Sequence, residues 1–295
     1  MSTIQILTED VRNKIAAGEV VERPASVVKE LVENSIDAGA REIIIAVRDG
    51  GLGKIVITDD GRGMNAEDLK ICVLRHSTSK LRTVEDLDRI STMGFRGEAL
   101  SSIAAVSRFV IESKTADSNI GNRLEVEDSV IKDFQEVGVA KGTRVSVLDL
   151  FYNVPARKKF ARTAKTEMGH IKDMIQRLAL ANPEIRFHLK SDGRDLIKAF
   201  SIKDYEQRAS EIFGSETVKQ SYVCTGDAGE VRVYGLVGDP SLAKNGSKGI
   251  FWFVNRRPVK DRLLNHALGE AYRSLLPKGY SPFSTLFLTL PPDLV

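Results

Sequence analysis

From the amino end, the first sustained periodicity of apolar positions lies between Arg23 and Asp37. At about 100° per residue, Val27, Val28, Leu31, Val32 and Ser35 share one arc, and Pro24 sits at a first-turn position, which predicts an amphipathic helix. Glu30, Asn34 and Asp37 fall in a sector of about 60° beside that arc. Two strand-like runs follow, Glu42 to Val47 and Lys54 to Thr58, with Asp49-Gly50-Gly51-Leu52-Gly53 between them as a hairpin connection. A second glycine cluster, Asp59-Asp60-Gly61-Arg62-Gly63, closes the second run.

A long polar stretch, Arg75 to Gly97, then leads into a short helix predicted over Glu98 to Val106. Strand patterns return at Arg108 to Glu112, Gly121 to Val126 and Thr143 to Asp149, and helical periodicity from about Lys165 to Leu180. The chain becomes polar between Ser201 and Ser215, which sets the expected boundary: a first domain over 1–209 and a second over 210–295. The second reads as strands at Val231 to Val237 and Ile250 to Val254, a basic helix from Arg262 to Leu276, and a strand from Ser284 to Leu290. Two α+β domains are expected.

Composition adds limits. Of 295 residues, 42% are hydrophobic and 28% charged, ordinary for a globular protein and enough apolar material for two cores. The longest apolar run near the front, Ile43 to Val47, is far shorter than a membrane span, and the amino end has no signal-like apolar region. Cys72 and Cys224, isolated among apolar residues, suit a reducing cytosol rather than a disulfide framework or zinc site. Net charge is +3, but eight lysines and arginines face two acids between Ser241 and Tyr280, so that stretch carries +6 and the rest −3. Such a local basic field suits a polyanion. A solvated helix face with no partner fits it equally.

Three motifs can carry chemistry. Glu30 and Asn34 stand one turn apart on one helix face, where a carboxylate can take a proton from water and a carboxamide oxygen can ligate Mg²⁺. A plain water-facing helix surface also fits that spacing. Asp59-Asp60-Gly61-Arg62-Gly63 lets backbone approach a flat ligand, with a carboxylate ready for an exocyclic amino group; an ordinary Asp-Gly turn is the alternative. Met93-Gly94-Phe95-Arg96-Gly97-Glu98-Ala99-Leu100 opens a helix with free N–H groups, a phosphate seat or simply a glycine-punctuated helix start. Neither the P-loop spacing nor GxGxxG occurs here.

Together, the acidic helix, Asp-x-Gly-x-Gly, the Gly-rich lid and Gly142-Thr143 resemble the ATPase superfamily of gyrase B, the ninety-kilodalton heat-shock chaperone, the sensor histidine kinases and MutL. The wording is similar to the MutL family. Ile15-Ala16-Ala17-Gly18-Glu19-Val20-Val21, Arg75-His76-Ser77-Thr78-Ser79-Lys80, Gly94 to Leu100, Asn153-Val154-Pro155-Ala156-Arg157-Lys158-Lys159-Phe160 and Val254-Asn255-Arg256-Arg257 carry that likeness, which runs from Ile4 to the last residue.

The resemblance implies a Bergerat-type ATP-binding α/β sandwich followed by a smaller α+β domain of the ribosomal-protein-S5 kind. It implies slow hydrolysis of ATP with Mg²⁺: Glu30 as general base, Asn34 on the metal, Asp59 on the adenine amino group, and Ala38, Gly63 and Thr143 around the base. Ser77, Thr78 and Ser79 would lie near phosphate, and Gly94, Phe95, Arg96, Gly97, Glu98, Ala99 and Leu100 would cradle the phosphate chain. Arg256, Arg257, Lys260 and Arg262 are the candidate DNA contacts, sequence-independent ones. ATP would order the lid and an arm holding Ile4, Gln5 and Ile6, driving homodimerisation. Partners would be a mismatch-recognition protein of the MutS type and a repair nuclease or helicase, in a bacterial cytoplasm near the nucleoid.

The family's phosphate-contacting lysine and carboxy-terminal dimerisation domain would lie past Val295, so weak hydrolysis is expected of this chain. A chaperone ATPase shares the Glu and Asp-x-Gly-x-Gly elements but not Gly-Phe-Arg-Gly-Glu-Ala-Leu. A sensor kinase would need a phosphoacceptor histidine, and His76, His170, His188 and His266 lie in no such context. A DNA-binding module without catalysis is the third alternative, which ATP binding would remove.

Overall fold

The computed structural model describes residues 15, 17–18, 20–78, 97–246 and 249–291. The chain divides into two compact units, one running to Ile175 and including Ile185–Ser201, the other made of Gln176–Glu184 and the chain from Ile202.

In the first unit, helix α1 spans Pro24–Asp37 with the proline in its first turn. Val27, Val28, Leu31, Val32 and Ser35 are buried, so the apolar arc faces the core. Burying each of the larger apolar side chains contributes about 1.5–3 kcal/mol. The helix stops where Gly39 turns left-handed at φ +74, its N–H bonded to the Ile36 carbonyl while that of Ala40 reaches Ser35. This paired closure satisfies carbonyls that the helix leaves open.

Strand β1 (Glu42–Arg48) returns through a 3₁₀ turn at Asp49–Gly51 into antiparallel β2 (Lys54–Asp59). After α2 (Ala66–Ile71) and α3 (Ala99–Ala105) come β3 (Arg108–Lys114), β4 (Gly121–Glu127), β5 (Val130–Val137) and β6 (Gly142–Leu148). Helices α4 (Pro155–Phe160) and α5 (Ala164–Ala181) precede the hairpin β7 (Arg186–Ser191) and β8 (Arg194–Ala199). The eight strands form one sheet in the order β5-β4-β3-β6-β2-β1-β7-β8, with β1 and β7 parallel. Ile43, Ile45, Val47, Ile55, Ile57, Phe109, Ile111, Val145 and Val147 are buried on one face of this sheet, and α1 packs on β2 and against α3.

In the second unit, α6 (Tyr205–Phe213), α7 (Ser215–Lys219) and α8 (Arg262–Ala271) accompany a five-stranded sheet. Its strands are β9 (Ser221–Ala228), β10 (Val231–Gly238), β12 (Ile250–Val254), β13 (Arg257–Val259) and β15 (Ser284–Thr289), in the order β13-β12-β15-β10-β9. Strands β11 (Lys244–Asn245) and β14 (Tyr280–Ser281) pair separately. Phe251, Phe253 and Phe283 pack on Leu180 and Ala181 at the end of α5. Phe253 and Phe287 stack at 4.4 Å between centroids.

The α+β architecture is the expected one: a large mixed sheet packed against helices, then a smaller α+β unit. Helix α8 is shorter than its sequence pattern, which ran to Leu276; Tyr272 caps it, and turns carry the chain to Pro277, which cannot continue a helix. Strands β5, β7, β8, β9, β11, β13 and β14 are additions to the pattern. No helix among the described residues is long and apolar enough to cross a membrane.

Candidate functional site

Asp59 ends β2, where the inward parity of Ile55 and Ile57 carries its side chain into the interior. It is 8% exposed. Ser35 Oγ lies 2.8 Å from Asp59 Oδ2 and 3.1 Å from the Leu31 carbonyl, and the Gly61 N–H donates to Oδ1 at 2.9 Å. Burial pushes the Asp59 carboxyl above its ordinary value, and hydrogen bonds from Ser35, Gly61 and Thr143 pull it partly back. Its neighbour Asp60 does different work, accepting the Arg41 and Glu42 N–H groups at 2.7 and 2.9 Å and fixing the α1–β1 corner.

Around Asp59 the backbone is packed so closely that side chains are excluded. Gly63 has φ +71, and a Cβ there would collide with the Lys114 carbonyl; Gly142 has φ +116, and a Cβ would collide with the Asp59 carbonyl. Ala38 presses on Gly61 and accepts the Arg62 N–H at 3.0 Å. Thr143 stands opposite Asp59 in the β2–β6 register. Ser113, buried on β3, joins these pieces: its hydroxyl lies 2.8 Å from the Met64 nitrogen, 3.0 Å from the Gly142 carbonyl and 3.0 Å from Thr143 Oγ1.

Glu30, Asn34 and Ala38 follow one another at single turns along α1 and its cap. Glu30 is about a quarter exposed, with Lys29 Nζ 3.2 Å from its Oε1 and 2.8 Å from Glu33 Oε2. Burial raises the Glu33 carboxyl, offset in part by Lys29. Burial opposes the Lys29 charge, but Glu33 and Glu30 more than compensate, so the ammonium is held above its ordinary value.

The described ends of the polar stretch come together. Gly97, at φ +63, is so close to the Ser77 backbone that a Cβ would lie 2.8 Å from its carbonyl oxygen, and His76 Nδ1 is 3.4 Å from Glu98 Oε1. Gly97 and Glu98 lead directly into α3, which begins at Ala99 and Leu100. Thr78 is described at the edge of this stretch; Ser79, Gly94, Phe95 and Arg96 lie outside the described residues, as do Ile4, Gln5 and Ile6. The Asn153–Phe160 motif is a brace: Asn153 Nδ2 donates to the Ala105 carbonyl at 3.0 Å, and Arg157 Nη1 to that of Val21 at 2.7 Å.

Asp59, Gly63, Ala38 and Thr143 are thus gathered at one place, with Glu30 and Asn34 along the adjoining helix. Sequence reasoning passed over Ser35, Ser113, Lys29 and Glu33. The signals were present: hydroxyls at inward positions of a helix arc and of the Phe109-Ile111-Ser113 alternation, and a Lys29–Glu33 pair at i,i+4 spacing. No group of three or more His, Cys, Asp or Glu that could hold a metal occurs among the described residues.

The basic candidates of the second unit are not equivalent. Asn255 and Arg256 form a two-residue hairpin loop, both left-handed at φ +47 and +66. The Arg256 guanidinium is held by both Glu184 oxygens, at 2.8 and 2.9 Å, and by the Ala181 carbonyl at 3.1 Å. Arg257, Lys260 and Arg262 are exposed, and Asp261 caps α8 through the Leu264 N–H at 2.9 Å.

Comparison with known proteins gives this arrangement its relatives. A family model described as histidine kinase-, DNA gyrase B-, and HSP90-like ATPase matches residues 22–149, and one described as DNA mismatch repair protein, C-terminal domain, matches 209–295. DNA mismatch repair protein MutL of Syntrophobacter fumaroxidans is 47% identical over 99% of this chain and 44% of its own length. That of Syntrophotalea carbinolica is 46% identical over 99% of this chain and 47% of its own. The chain therefore spans less than half the length of these relatives. Among solved structures, the Aquifex aeolicus MutL ATPase domain complexed with ADP is 29% identical at a TM-score of 0.70, covering 92% of this chain and 94% of that one. The crystal structure of the N-terminal domain of a DNA repair protein is 28% identical at 0.81, covering 95% and 86%. With sequence identity running along the whole chain and the same fold in solved ATPase domains, the chain belongs to the MutL family of DNA mismatch-repair proteins.

Proposed function

We propose that the first unit binds ATP with Mg²⁺ and hydrolyses it slowly, as a switch in DNA mismatch repair. The observation that carries this reading is the buried Asp59 carboxylate, set among glycines that no side chain can replace. A carboxylate in that position would accept from an adenine amino group, with Gly63, Ala38 and Thr143 beside the flat base. The Aquifex aeolicus MutL ATPase domain, named as an ADP complex, supports the same reading.

Glu30 would hold the attacking water and take its proton. Asn34 would offer its carboxamide oxygen to Mg²⁺. Mg²⁺ would neutralise phosphate charge when bound. Backbone N–H groups from Gly97 to Leu100, continuing the segment of Gly94, Phe95 and Arg96, would orient the phosphates, with Ser77, Thr78 and Ser79 beside them.

Binding would order the lid and the arm of Ile4 to Ile6 and so favour a homodimer. DNA would be held without sequence preference through Arg257, Lys260 and Arg262, with Arg256 serving the hairpin. A MutS-type recognition protein and a repair nuclease or helicase would be the partners.

The test separates holding from turnover. Glu30→Ala should lower hydrolysis by roughly 10² to 10⁴ yet leave nucleotide affinity within a few-fold. Asp59→Asn should abolish binding itself, measured by calorimetry. Tight ATP binding by the Asp59 variant would sink the assignment.

A further inference from the structure

Three neighbouring strands bring three polar side chains to one spot. Asp59 on β2 and Ser113 on β3 are both direct cross-strand partners of Thr143 on β6, so the three side chains share one face of the sheet. Ser113 is fully buried and cannot touch a ligand. Thr143 is half-buried, and its N–H donates to the Asp59 carboxylate, so it adjoins the group proposed to meet the base.

The proton of the Thr143 hydroxyl is already committed. A serine hydroxyl has one proton to give and two lone pairs to fill. At Ser113, the Met64 N–H takes one lone pair, donating to Oγ at 2.8 Å. The Gly142 carbonyl, 3.0 Å away, can only accept, so it takes the Ser113 proton. One lone pair is left, and Thr143 Oγ1, also at 3.0 Å, donates into it. The reverse assignment would send the Ser113 proton to Thr143. Ser113 Oγ and the Gly142 carbonyl would then face each other at 3.0 Å as two bare oxygens in the interior, which burial makes costly. Thr143 therefore offers an incoming ligand lone pairs and no proton.

We propose that Ser113 is a positioning residue for base selection. It holds the Thr143 proton, so that Thr143 and Asp59 both meet the base as acceptors and the site takes an aminopurine over an oxopurine, adenine over hypoxanthine. This rests on the reading of Asp59 as the carboxylate that selects adenine, and it names the residue that sharpens the choice. Asp59 alone separates the two bases incompletely, because hypoxanthine carries a ring N–H beside its carbonyl that can donate to the same carboxylate. The carbonyl itself still needs a donor, and a site whose polar groups cannot supply one rejects it. A Thr143 hydroxyl free to turn would supply one.

The test is calorimetric binding of ADP and of inosine diphosphate with Mg²⁺, two ligands that differ in the exchange of that amino group for a carbonyl. The chain is used as it stands, and no hydrolysis is needed. The parent should prefer ADP. Ser113→Ala frees the Thr143 hydroxyl to donate, so the ratio of ADP to inosine diphosphate affinity should fall about tenfold, chiefly through tighter binding of inosine diphosphate. A merely structural loss at this buried position would weaken both ligands together and leave the ratio alone. Thr143→Val removes the hydroxyl at nearly the same shape. In the parent background it should weaken ADP and spare inosine diphosphate, a result that decides the matter even if Ser113→Ala does not fold. In the Ser113→Ala background it should cancel the gain in inosine diphosphate. A ratio unchanged in both single variants would overturn the role of Ser113 and leave Asp59 as the selecting group. A parent that binds both ligands equally would overturn base selection here while nucleotide binding stands. A parent that binds neither removes the nucleotide reading itself.

Discussion

Ser35 Oγ and Asp59 Oδ2 are 2.8 Å apart, which ties the last full turn of α1 to the end of β2. The contact joins the helix carrying Glu30 and Asn34 to the carboxylate proposed to select the base. Ser35→Ala would leave that oxygen buried with one donor fewer, costing about 1–3 kcal/mol. Nucleotide affinity should fall by roughly tenfold with hydrolysis per bound ATP little changed, a split that single-turnover kinetics can read.

Asp59→Asn separates stability from binding. Burial disfavours the ionised carboxyl, so the folded protein holds the Asp59 proton more tightly than the unfolded chain and loses stability as pH rises through that range. The amide removes this cost. Its NH₂ can face Ser35, which then donates to the Leu31 carbonyl 3.1 Å away. Calorimetry should find a thermal midpoint no lower than the parent's in a protein that no longer binds ATP.

Glycines of similar φ should differ in their tolerance. Gly63→Ala brings both left-handed strain and a collision with the Lys114 carbonyl, whereas Gly39→Ala, at φ +74, meets nothing within 4 Å. About 1 kcal/mol is expected at Gly39 and at least about 2 kcal/mol at Gly63. Denaturant unfolding of the two variants side by side would check the order; equal losses would contradict it.

Arg256 and Arg262 should part company. Arg256→Gln gives up the exposed Glu184 pair and the Ala181 carbonyl, a loss of about 1 kcal/mol in stability, and should leave the salt dependence of DNA binding alone. Arg262→Gln should spare stability and flatten the log-log salt slope by about one unit.

On β8, Asp195 meets His188 Nε2 at 2.5 Å and Lys198 Nζ at 2.6 Å. Lys198, then His188, hold its carboxyl down at about 2. A folded value below the ordinary one of about 3.9 means stability present at neutral pH and lost as pH falls toward 2. The midpoint advantage of the parent over Asp195→Asn should therefore vanish between about pH 4 and 2, and a carboxyl-carbon NMR titration of Asp195 should show the low value.

What the amino-acid order determined by itself is local. The α1 arc, the β1–β2 hairpin and the glycine clusters were legible because a helix face and a strand face each repeat at fixed short intervals, and glycine is the favoured residue where backbone turns left-handed or comes very close. Strands β5 and β9 have largely exposed faces, so no apolar alternation marked them, and α8 ended early at turns that periodicity does not register. Of two adjacent aspartates the family likeness had singled out Asp59, and tertiary structure supplied the partners of each. Asp59 keeps the inward parity of β2 and meets Ser35, 24 residues away, while Asp60 turns out to hold the backbone of Arg41 and Glu42. It also gave Arg256 its partners Glu184 and Ala181, more than seventy residues back, which its basic neighbours in sequence do not indicate. The physical reason is the same in each case: a side chain's partner across a sheet or a hairpin is set by strand register and burial, and neither is written in the spacing of neighbouring residues.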